Sequence, residues 1–111
     1  MELSVVEYEK RGHIAYVRLN RPDKLNAMNQ AMHDELGLIW KDFRDDKNLR
    51  VAILSGNGRC FSAGADLSGG APVDYVYPRE FPDISQTQNV FKPIIAAMHS
   101  HVVGYGLWIG L

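Results

Sequence analysis

Near the start of the chain, apolar and polar residues alternate with the period of a β-strand. Residues 3–8 predict a short strand and residues 13–20 predict a second one. Three apolar side chains share one face of the second strand: Ala15, Val17 and Leu19. The other face also carries apolar residues, so we expect another layer of structure over at least one face. The polar segment 9–12 predicts the hairpin turn between the two strands.

From about Asn29 the apolar residues follow a helical period instead. Six of them form a stripe on one predicted face: Met28, Met32, Leu36, Ile39, Trp40 and Phe43. Polar residues are predicted on the opposite face: His33, Asp34, Lys41, Asp42 and Arg44. Asn29 is the expected N-cap, because its side chain can accept a hydrogen bond from the first helical turn. Residues 45–48 are expected to end the helix, and we interpret the stripe as core rather than as a cofactor site.

Two short apolar runs after the helix, residues 51–55 and 94–98, predict strands that are buried on both faces. Such runs are typical of parallel strands, so a ββαβ arrangement is preferred to an all-antiparallel sheet. Between them, residues 69–83 contain three prolines and two glycines without a clean period, which predicts a loop able to close over a site. Residues 85–91 predict a short helix.

The last segment, residues 104–111, has the pattern of a helix that begins but does not end. We therefore interpret residues 1–111 as a single amino-terminal core within a longer protein. A length of 111 residues suits one domain.

The amino-acid composition limits which binding partners and which cell compartment we expect for the protein. Lys and Arg number 12 and Asp and Glu number 13, and this balance of −1 argues against a nucleic-acid binder and against a polybasic membrane anchor. The single cysteine, Cys60, excludes an intrachain disulfide and is expected to be a small buried side chain. There is no secretory signal pattern and no apolar run near the ~20 residues of a membrane span. We expect a cytoplasmic protein.

Glycines follow two of the predicted strands, in segments 61–67 and 103–106. Ligands of α/β proteins bind beyond the carboxyl ends of strands, and small residues there allow close approach to the backbone. Backbone N–H groups at such turns can form an oxyanion hole, and a helix beginning near Tyr105 would strengthen it. From the pattern alone, ordinary turn chemistry is the more common explanation of such glycines.

Several motifs occur in the same order as in a known family: Leu-Asn-Arg-Pro at 19–22, Leu-Asn-Ala-Met at 25–28, Leu-Arg-Val-Ala-Ile-Leu-Ser-Gly at 49–56, Cys-Phe-Ser-Ala-Gly-Ala-Asp-Leu at 60–67 and Lys-Pro-Ile-Ile-Ala-Ala at 92–97. From about residue 5 to its end, the chain resembles the amino-terminal portion of the enoyl-CoA hydratase/isomerase (crotonase) family. The resemblance implies an α/β fold with a crotonase-like ββα spiral core (the ClpP/crotonase fold), truncated at the carboxy-terminal side.

The resemblance also implies a site for an acyl-CoA thioester. The backbone N–H groups of Ala65 and Tyr105 are the implied oxyanion hole, where they would stabilise a thioester enolate. The implied contacts with coenzyme A are Lys24, Leu25, Asn26, Ala65, Asp66, Leu67, Ser68 and Tyr105. Coenzyme A is part of the substrate, so no separate cofactor and no metal is expected. The family further implies a role in fatty acid metabolism and assembly as a homotrimer or homohexamer.

The chain departs from the family pattern at Trp108, where hydratases carry a glutamate. An indole has no basic lone pair and cannot activate water. Hydration by two glutamates is therefore not expected, and isomerase, dehydratase, hydrolase or decarboxylase chemistry with one base from elsewhere stays open. The alternative is a non-catalytic CoA-thioester binder or scaffold subunit.

Other polar residues allow a functional and a structural interpretation. His99 and His101 could supply a metal ligand or a base, but hydrogen-bonded structural histidines are the more common case. Asp66 could be catalytic, but the resemblance implies a structural use of this position, so we interpret it as the N-cap of a short turn at 66–69. Glu80 and Asp83 are possible substitute bases, although solvated surface charge is the usual role of such residues.

Overall fold

The computed structural model describes residues 1–64 and 90–100. Its elements in chain order are β1 (Val6–Arg11), β2 (Ile14–Leu19), a short 3₁₀ helix (Pro22–Lys24), α1 (Gln30–Asp45), β3 (Val51–Gly56) and β4 (Ile94–Ala96).

The strands form one mixed sheet in the order β1-β2-β3-β4. β1 and β2 are antiparallel, whereas β2 pairs with β3 and β3 pairs with β4 in parallel. A parallel pair needs a crossover connection, and α1 supplies it between β2 and β3. The predicted ββαβ arrangement is therefore confirmed.

The hairpin is shifted relative to the sequence prediction. β1 spans Val6–Arg11 rather than residues 3–8, and the turn lies at Gly12 and His13 rather than at residues 9–12. Gly12 adopts φ +58°, which a tight two-residue turn requires and which glycine adopts without strain. The charged residues before it can therefore stay extended and pair with β2.

The core lies between α1 and one face of the sheet. On β2 the buried residues are Ala15, Val17 and Leu19, as predicted. The whole predicted stripe is also buried: Met28, Met32, Leu36, Ile39, Trp40 and Phe43. Full burial of a large apolar side chain stabilises a fold by about 1.5–3 kcal/mol. The predicted cap is present too, since the side chain of Asn29 accepts a hydrogen bond from the backbone N–H of Met32 at 2.9 Å.

Two polar residues of α1 are buried as well. His33 was predicted on the polar face, but it is only 6% exposed. It lies three residues before Leu36 and seven before Trp40, so it falls on the same arc of the helix as the apolar stripe. Glu35 is 7% exposed, and its carboxylate accepts hydrogen bonds from the backbone N–H groups of Ser4 and Val5.

The prediction that both later strands are buried on two faces is wrong. In β3, Ala52 and Leu54 are buried while the alternate residues are half-buried. β4 is shorter than predicted, and its central residue, Ile95, is 56% exposed. In the described part of the chain, α1 covers only one face of the sheet, so the residues on the other face stay partly exposed. β4 is also an edge strand of this sheet, which leaves it more exposed than β3.

Lys92 fastens the segment before β4 to the end of α1. Its Nζ donates hydrogen bonds to the carbonyl oxygens of Phe43 and Asp46, each at 2.7 Å, and lies 5.1 Å from the centre of the Phe43 ring. A cation at this place satisfies carbonyl groups that have no partner within the helix and complements the helix dipole.

Several predicted elements lie outside the described residues. These are the loop at 69–83, the helix beginning at 104 and most of the helix at 85–91. Of the predicted helix at 85–91, only Val90 and Phe91 are described, and neither is helical. In residues 1–64 and 90–100, no helix is long and apolar enough to cross a membrane.

Candidate active site

Two loops meet beyond the ends of β2 and β3, and we call them the loop pair. The first loop, residues 20–29, joins β2 to α1, and the second loop, residues 57–64, follows β3. In the first loop, Leu25 and Asn26 adopt φ values of +52° and +54°. This region is unfavourable for residues other than glycine, less so for asparagine, and such a conformation persists only where its surroundings hold it.

Hydrogen bonds of the Asn26 side chain stabilise this backbone conformation. Asn26 is fully buried, and its Oδ1 accepts a hydrogen bond from the backbone N–H of Arg21 at 2.7 Å. Its Nδ2 donates to the carbonyl oxygens of Asn57 and Cys60, both at 2.9 Å. One amide group therefore closes the first loop on itself and ties it to the second loop.

Close packing against the loop pair explains two glycines, Gly56 at the end of β3 and Gly58 in the second loop. A Cβ on Gly56 would lie 2.5 Å from the carbonyl oxygen of Phe61 and 3.0 Å from Nδ2 of Asn26. A Cβ on Gly58, which has φ +89°, would lie 2.6 Å from Cβ of Pro22. Contacts therefore restrict both positions to glycine, and the positive φ of Gly58 restricts that position further.

Further hydrogen bonds continue along the second loop to Gly64. The Ser62 hydroxyl donates to the carbonyl oxygen of Asn26 at 2.9 Å and accepts from the backbone N–H of Gly64 at 3.1 Å. The backbone N–H of Ala63 donates to the carbonyl oxygen of Leu25 at 2.9 Å, and that of Met28 donates to the carbonyl oxygen of Gly64 at 2.7 Å. The backbone is thus held up to the residue before Ala65, with Gly64 at φ +91°.

The structure describes only part of the predicted site. Lys24, Leu25 and Asn26 lie beside the second loop, with Lys24 exposed, Leu25 half-buried and Asn26 buried. The remaining predicted residues lie outside the described ranges: Ala65, Asp66, Leu67, Ser68, Glu80, Asp83, His101, Tyr105 and Trp108. Their roles stay predictions.

His99 has the structural role that the sequence favoured. Its Nε2 donates to the carbonyl oxygen of Gly58 at 2.9 Å, and its own carbonyl oxygen accepts from the backbone N–H of Phe61 at 3.0 Å. His99 therefore joins the end of β4 to the second loop. Within residues 1–64 and 90–100, no three histidine, cysteine or acidic side chains are grouped closely enough to hold a metal ion.

Cys60 is buried, as predicted, and its Sγ donates to the carbonyl oxygen of Leu25 at 3.3 Å. Sequence reasoning missed the use of Asn26 as a buried hydrogen-bonding side chain. One local signal was present, because asparagine tolerates the left-handed region and is frequent in turns that follow a proline. Its partners in the second loop are more than 30 residues away, and no local pattern identifies them.

The groups with shifted pKa values lie away from the loop pair. Four side chains on β1 and the end of α1 form what we call the charged cluster: Tyr8, Lys10, Asp42 and Asp46. Lys10 Nζ lies 2.8 Å from Asp42 and 2.9 Å from Asp46, which lowers the pKa of both carboxyls and raises that of Lys10. Partial burial, together with a hydrogen bond to Asp42 at 2.8 Å, raises the pKa of Tyr8.

His33 also has a shifted pKa, and it belongs to the core rather than to the loop pair. Burial disfavours the charged imidazolium and lowers the pKa of His33 to about 4, although the nearby Asp34 opposes the shift.

Comparison with solved structures identifies the class of protein to which this fold belongs. An enoyl-CoA hydratase subunit I from Geobacillus kaustophilus aligns with 99% of this chain at a TM-score of 0.84 and 29% identity. A probable enoyl-CoA hydratase from Mycobacterium smegmatis aligns with 96% of it at a TM-score of 0.82 and 33% identity. The α/β sheet and helix described above are therefore part of a crotonase-type core, as the sequence resemblance implied.

The family itself follows from the sequence. A family model for enoyl-CoA hydratase/isomerase matches residues 9–111, so the chain belongs to that family. Among curated relatives, an (E)-benzylidenesuccinyl-CoA hydratase from Thauera aromatica is 37% identical over 96% of this chain. A carnitinyl-CoA dehydratase from Escherichia coli is 38% identical over 92% of it.

The chain is much shorter than the proteins it matches. It covers 43% of the benzylidenesuccinyl-CoA hydratase and 41% of the carnitinyl-CoA dehydratase. It covers 44% and 47% of the two solved structures.

Proposed function

We propose that the protein is an enzyme that binds an acyl-CoA thioester and stabilises its enolate in a backbone oxyanion hole. The N–H groups of Ala65 and Tyr105 are the proposed donors to the thioester oxygen. The curated relatives support this substrate class, since those described above are named for reactions of CoA thioesters. Loss of one oxyanion-hole donor typically costs an enzyme about 3–4 kcal/mol of transition-state stabilisation.

The observation that carries this proposal is the set of hydrogen bonds that ends at Gly64. The carbonyl oxygen of Gly64 belongs to the same peptide unit as the N–H of Ala65, and it accepts a bond from Met28 at 2.7 Å. A donor that stabilises developing charge is effective when it is already in place before the reaction. The loop pair provides such a fixed support for the first donor.

Coenzyme A is proposed to lie against the first loop and along Ala65, Asp66, Leu67 and Ser68. On the first loop, Lys24 is exposed and Leu25 is half-buried, so both are accessible to a ligand. The amide side chain of Asn26 is buried and bonded within the protein, so any contact at this residue would involve its backbone. No cofactor besides the substrate is proposed.

Calorimetric titration of the whole protein with short and medium acyl-CoAs tests the proposal. We expect saturable binding of at least one acyl-CoA and weaker binding of free coenzyme A, which lacks the thioester carbonyl. Absence of detectable binding for every acyl-CoA would remove the proposed function.

A second candidate function is a non-catalytic CoA-thioester binder or scaffold subunit, which is favoured by Trp108 at the position of the hydratase glutamate. Assays for crotonyl-CoA hydration and for deuterium exchange at the α-carbon separate the two functions. Turnover in either assay would eliminate the scaffold function. Exchange without hydration would favour isomerase-type chemistry that needs only one base.

We further propose that the intact protein is cytoplasmic, acts in fatty acid metabolism and assembles as a homotrimer or homohexamer. Analytical ultracentrifugation of the whole protein tests the assembly, and a monomer at micromolar concentration would contradict it.

A further inference from the structure

We infer that Asn26 and Ser62 act together as positioning residues that fix the backbone at Gly64 and so support the first proposed oxyanion donor, which follows it. This inference rests on the proposed function, because it concerns how the same site is held. It assigns to Asn26 a role for its side chain that differs from a contact with coenzyme A.

The first step concerns the hydrogen bonds of the Asn26 side-chain amide, all of which are made within the protein. Its Nδ2 has two hydrogens, and both are used, on the carbonyl oxygens of Asn57 and Cys60. Its Oδ1 accepts from the backbone N–H of Arg21, and the residue has no exposed surface. The side chain is therefore occupied in holding backbone groups of both loops and has no donor left for a ligand.

The second step is the connection from Asn26 to Gly64. The carbonyl oxygen of Asn26 accepts the Ser62 hydroxyl at 2.9 Å, and the same hydroxyl accepts the N–H of Gly64 at 3.1 Å. Ser62 is also fully buried, so water does not compete for these bonds. The Asn26 backbone and the Ser62 hydroxyl thus hold the N–H of Gly64, which belongs to the peptide unit before that residue.

The third step is the geometry of the peptide unit. A trans peptide is planar, and its N–H points away from its carbonyl oxygen. The N–H of Met28, two residues after Asn26, holds the carbonyl oxygen of Gly64 at 2.7 Å. With Ser62 bonded to the N–H of Gly64 and Met28 bonded to its carbonyl oxygen, the backbone of Gly64 is held on both sides. The bond from Met28 also polarises the peptide and strengthens its N–H as a donor.

The choice of residue types agrees with this role. Asn26 has φ +54°, a conformation that asparagine tolerates better than most residues. An aspartate of the same shape would keep the acceptor but lose both donors, and its charge would face two carbonyl oxygens. Asn26→Asp is therefore a test of the donors at nearly constant volume, and Ser62→Ala is a test of the connection.

Difference infrared spectroscopy of a bound acyl-CoA, labelled with ¹³C at the thioester carbonyl, provides a readout that stability alone would not change. In the wild-type protein we expect the carbonyl stretch to move to lower frequency on binding, because the donors polarise the carbonyl. In both Ser62→Ala and Asn26→Asp, we expect this shift to decrease. In Ser62→Ala, which changes no proposed coenzyme A contact, the affinity for free coenzyme A should stay unchanged. Turnover per folded molecule should fall by about 10- to 100-fold.

Asn29→Ala is the matched control, since Asn29 lies in the same loop but caps α1 and makes none of these bonds. It should lower stability while leaving the infrared shift unchanged. If Asn26→Asp does not fold, the infrared shift measured in Ser62→Ala tests the inference by itself. A full wild-type shift in Ser62→Ala would overturn the inference while leaving the proposed function intact. Absence of binding or of a shift in the wild-type protein would instead contradict the proposed function.

Discussion

The loop pair and the charged cluster hold the molecule together by different physical means. In the loop pair, buried side chains such as Asn26 and Ser62 bond mostly to backbone groups of the other loop. In the charged cluster, Lys10 and Asp42 form an ion pair although their side chains are 43% and 37% exposed. Water and salt compete with the exposed pair, whereas a buried donor that loses its partner has no substitute. The buried hydrogen bonds of the loop pair are therefore expected to contribute more to stability than the exposed ion pairs of the charged cluster.

Asn26→Ala should give the largest effect. It removes three hydrogen bonds, leaves the buried carbonyl oxygen of Cys60 without this donor, and places alanine at a positive φ. We expect a loss of about 3–4 kcal/mol in the free energy of unfolding, measured by urea denaturation of the whole protein. The control Asn29→Ala, which removes one N-cap bond, should cost about 1 kcal/mol. Equal losses in the two variants would contradict the importance given to the loop pair.

Mild acid should destabilise the core while leaving the charged cluster intact. The pKa of His33 is lowered from 6.5 to about 4 by burial, so between these pH values the unfolded chain binds a proton that the folded chain does not. Stability is therefore lost as the pH falls from above 6.5 toward 4, by a total on the order of 2 kcal/mol. His33→Gln should flatten this part of the profile of unfolding free energy against pH.

The carboxyls of the charged cluster titrate in a separate window. The pKa values of Asp42 and Asp46 are lowered in the folded state, chiefly by Lys10, so their contribution is fully present above the ordinary value of 3.8. It is lost only as the pH falls below that value and through the folded-state pKa. A profile for His33→Gln that still declined steeply between pH 6.5 and 4 would show that another group responds there.

Lys92→Met should lower the free energy of unfolding by an amount between the losses expected in the loop pair and in the charged cluster. The ammonium is a charge, but it donates to two backbone carbonyls at the end of α1 rather than to another exposed charge. Methionine keeps the apolar stem and removes both bonds, so we expect a loss of about 1–2 kcal/mol in unfolding free energy. Lys47→Met removes a charge from a nearby exposed position and is the control. Equal losses in the two variants would mean that the positive charge, rather than the two hydrogen bonds of Lys92, accounts for its contribution to stability.

Lys10→Met should give the smallest change in stability, about 0.5 kcal/mol or less, because the ion pairs are exposed. The difference from wild type should disappear in high salt. A local effect should remain measurable, since the pKa of Asp42 should rise toward its ordinary value when followed by NMR. A loss comparable to that of Lys92→Met would show that exposed ion pairs contribute more here than expected.

The parts of the fold that sequence predicted well are those set by local chemistry. The stripe from Met28 to Phe43 and the N-cap at Asn29 depend on helical spacing and on one side chain near its own backbone. The hairpin was misplaced because strand pairing depends on the partner strand and on the conformation of Gly12, and the polar composition of residues 9–12 did not reveal either.

The candidate site was predicted only as far as the family motifs reach. Those motifs indicated that the first loop and the Gly64 turn belong to one site, and the structure brings Met28 and Gly64 into contact. They did not reveal that the Asn26 amide joins the two loops, because its partners, Asn57 and Cys60, are adjacent only after folding. The burial of His33 was missed for a similar reason, since the width of the covered arc depends on how α1 rests on the sheet.

The anchoring of Ser4 and Val5 by Glu35 has a practical consequence for handling the protein. This carboxylate is 7% exposed, and its described hydrogen-bond donors come from these two residues. Trimming the first five residues, by a protease or by cloning, would strand an anionic group inside the molecule. An affinity tag ahead of Met1 needs a flexible spacer for the same reason, so that it does not pull this attachment loose.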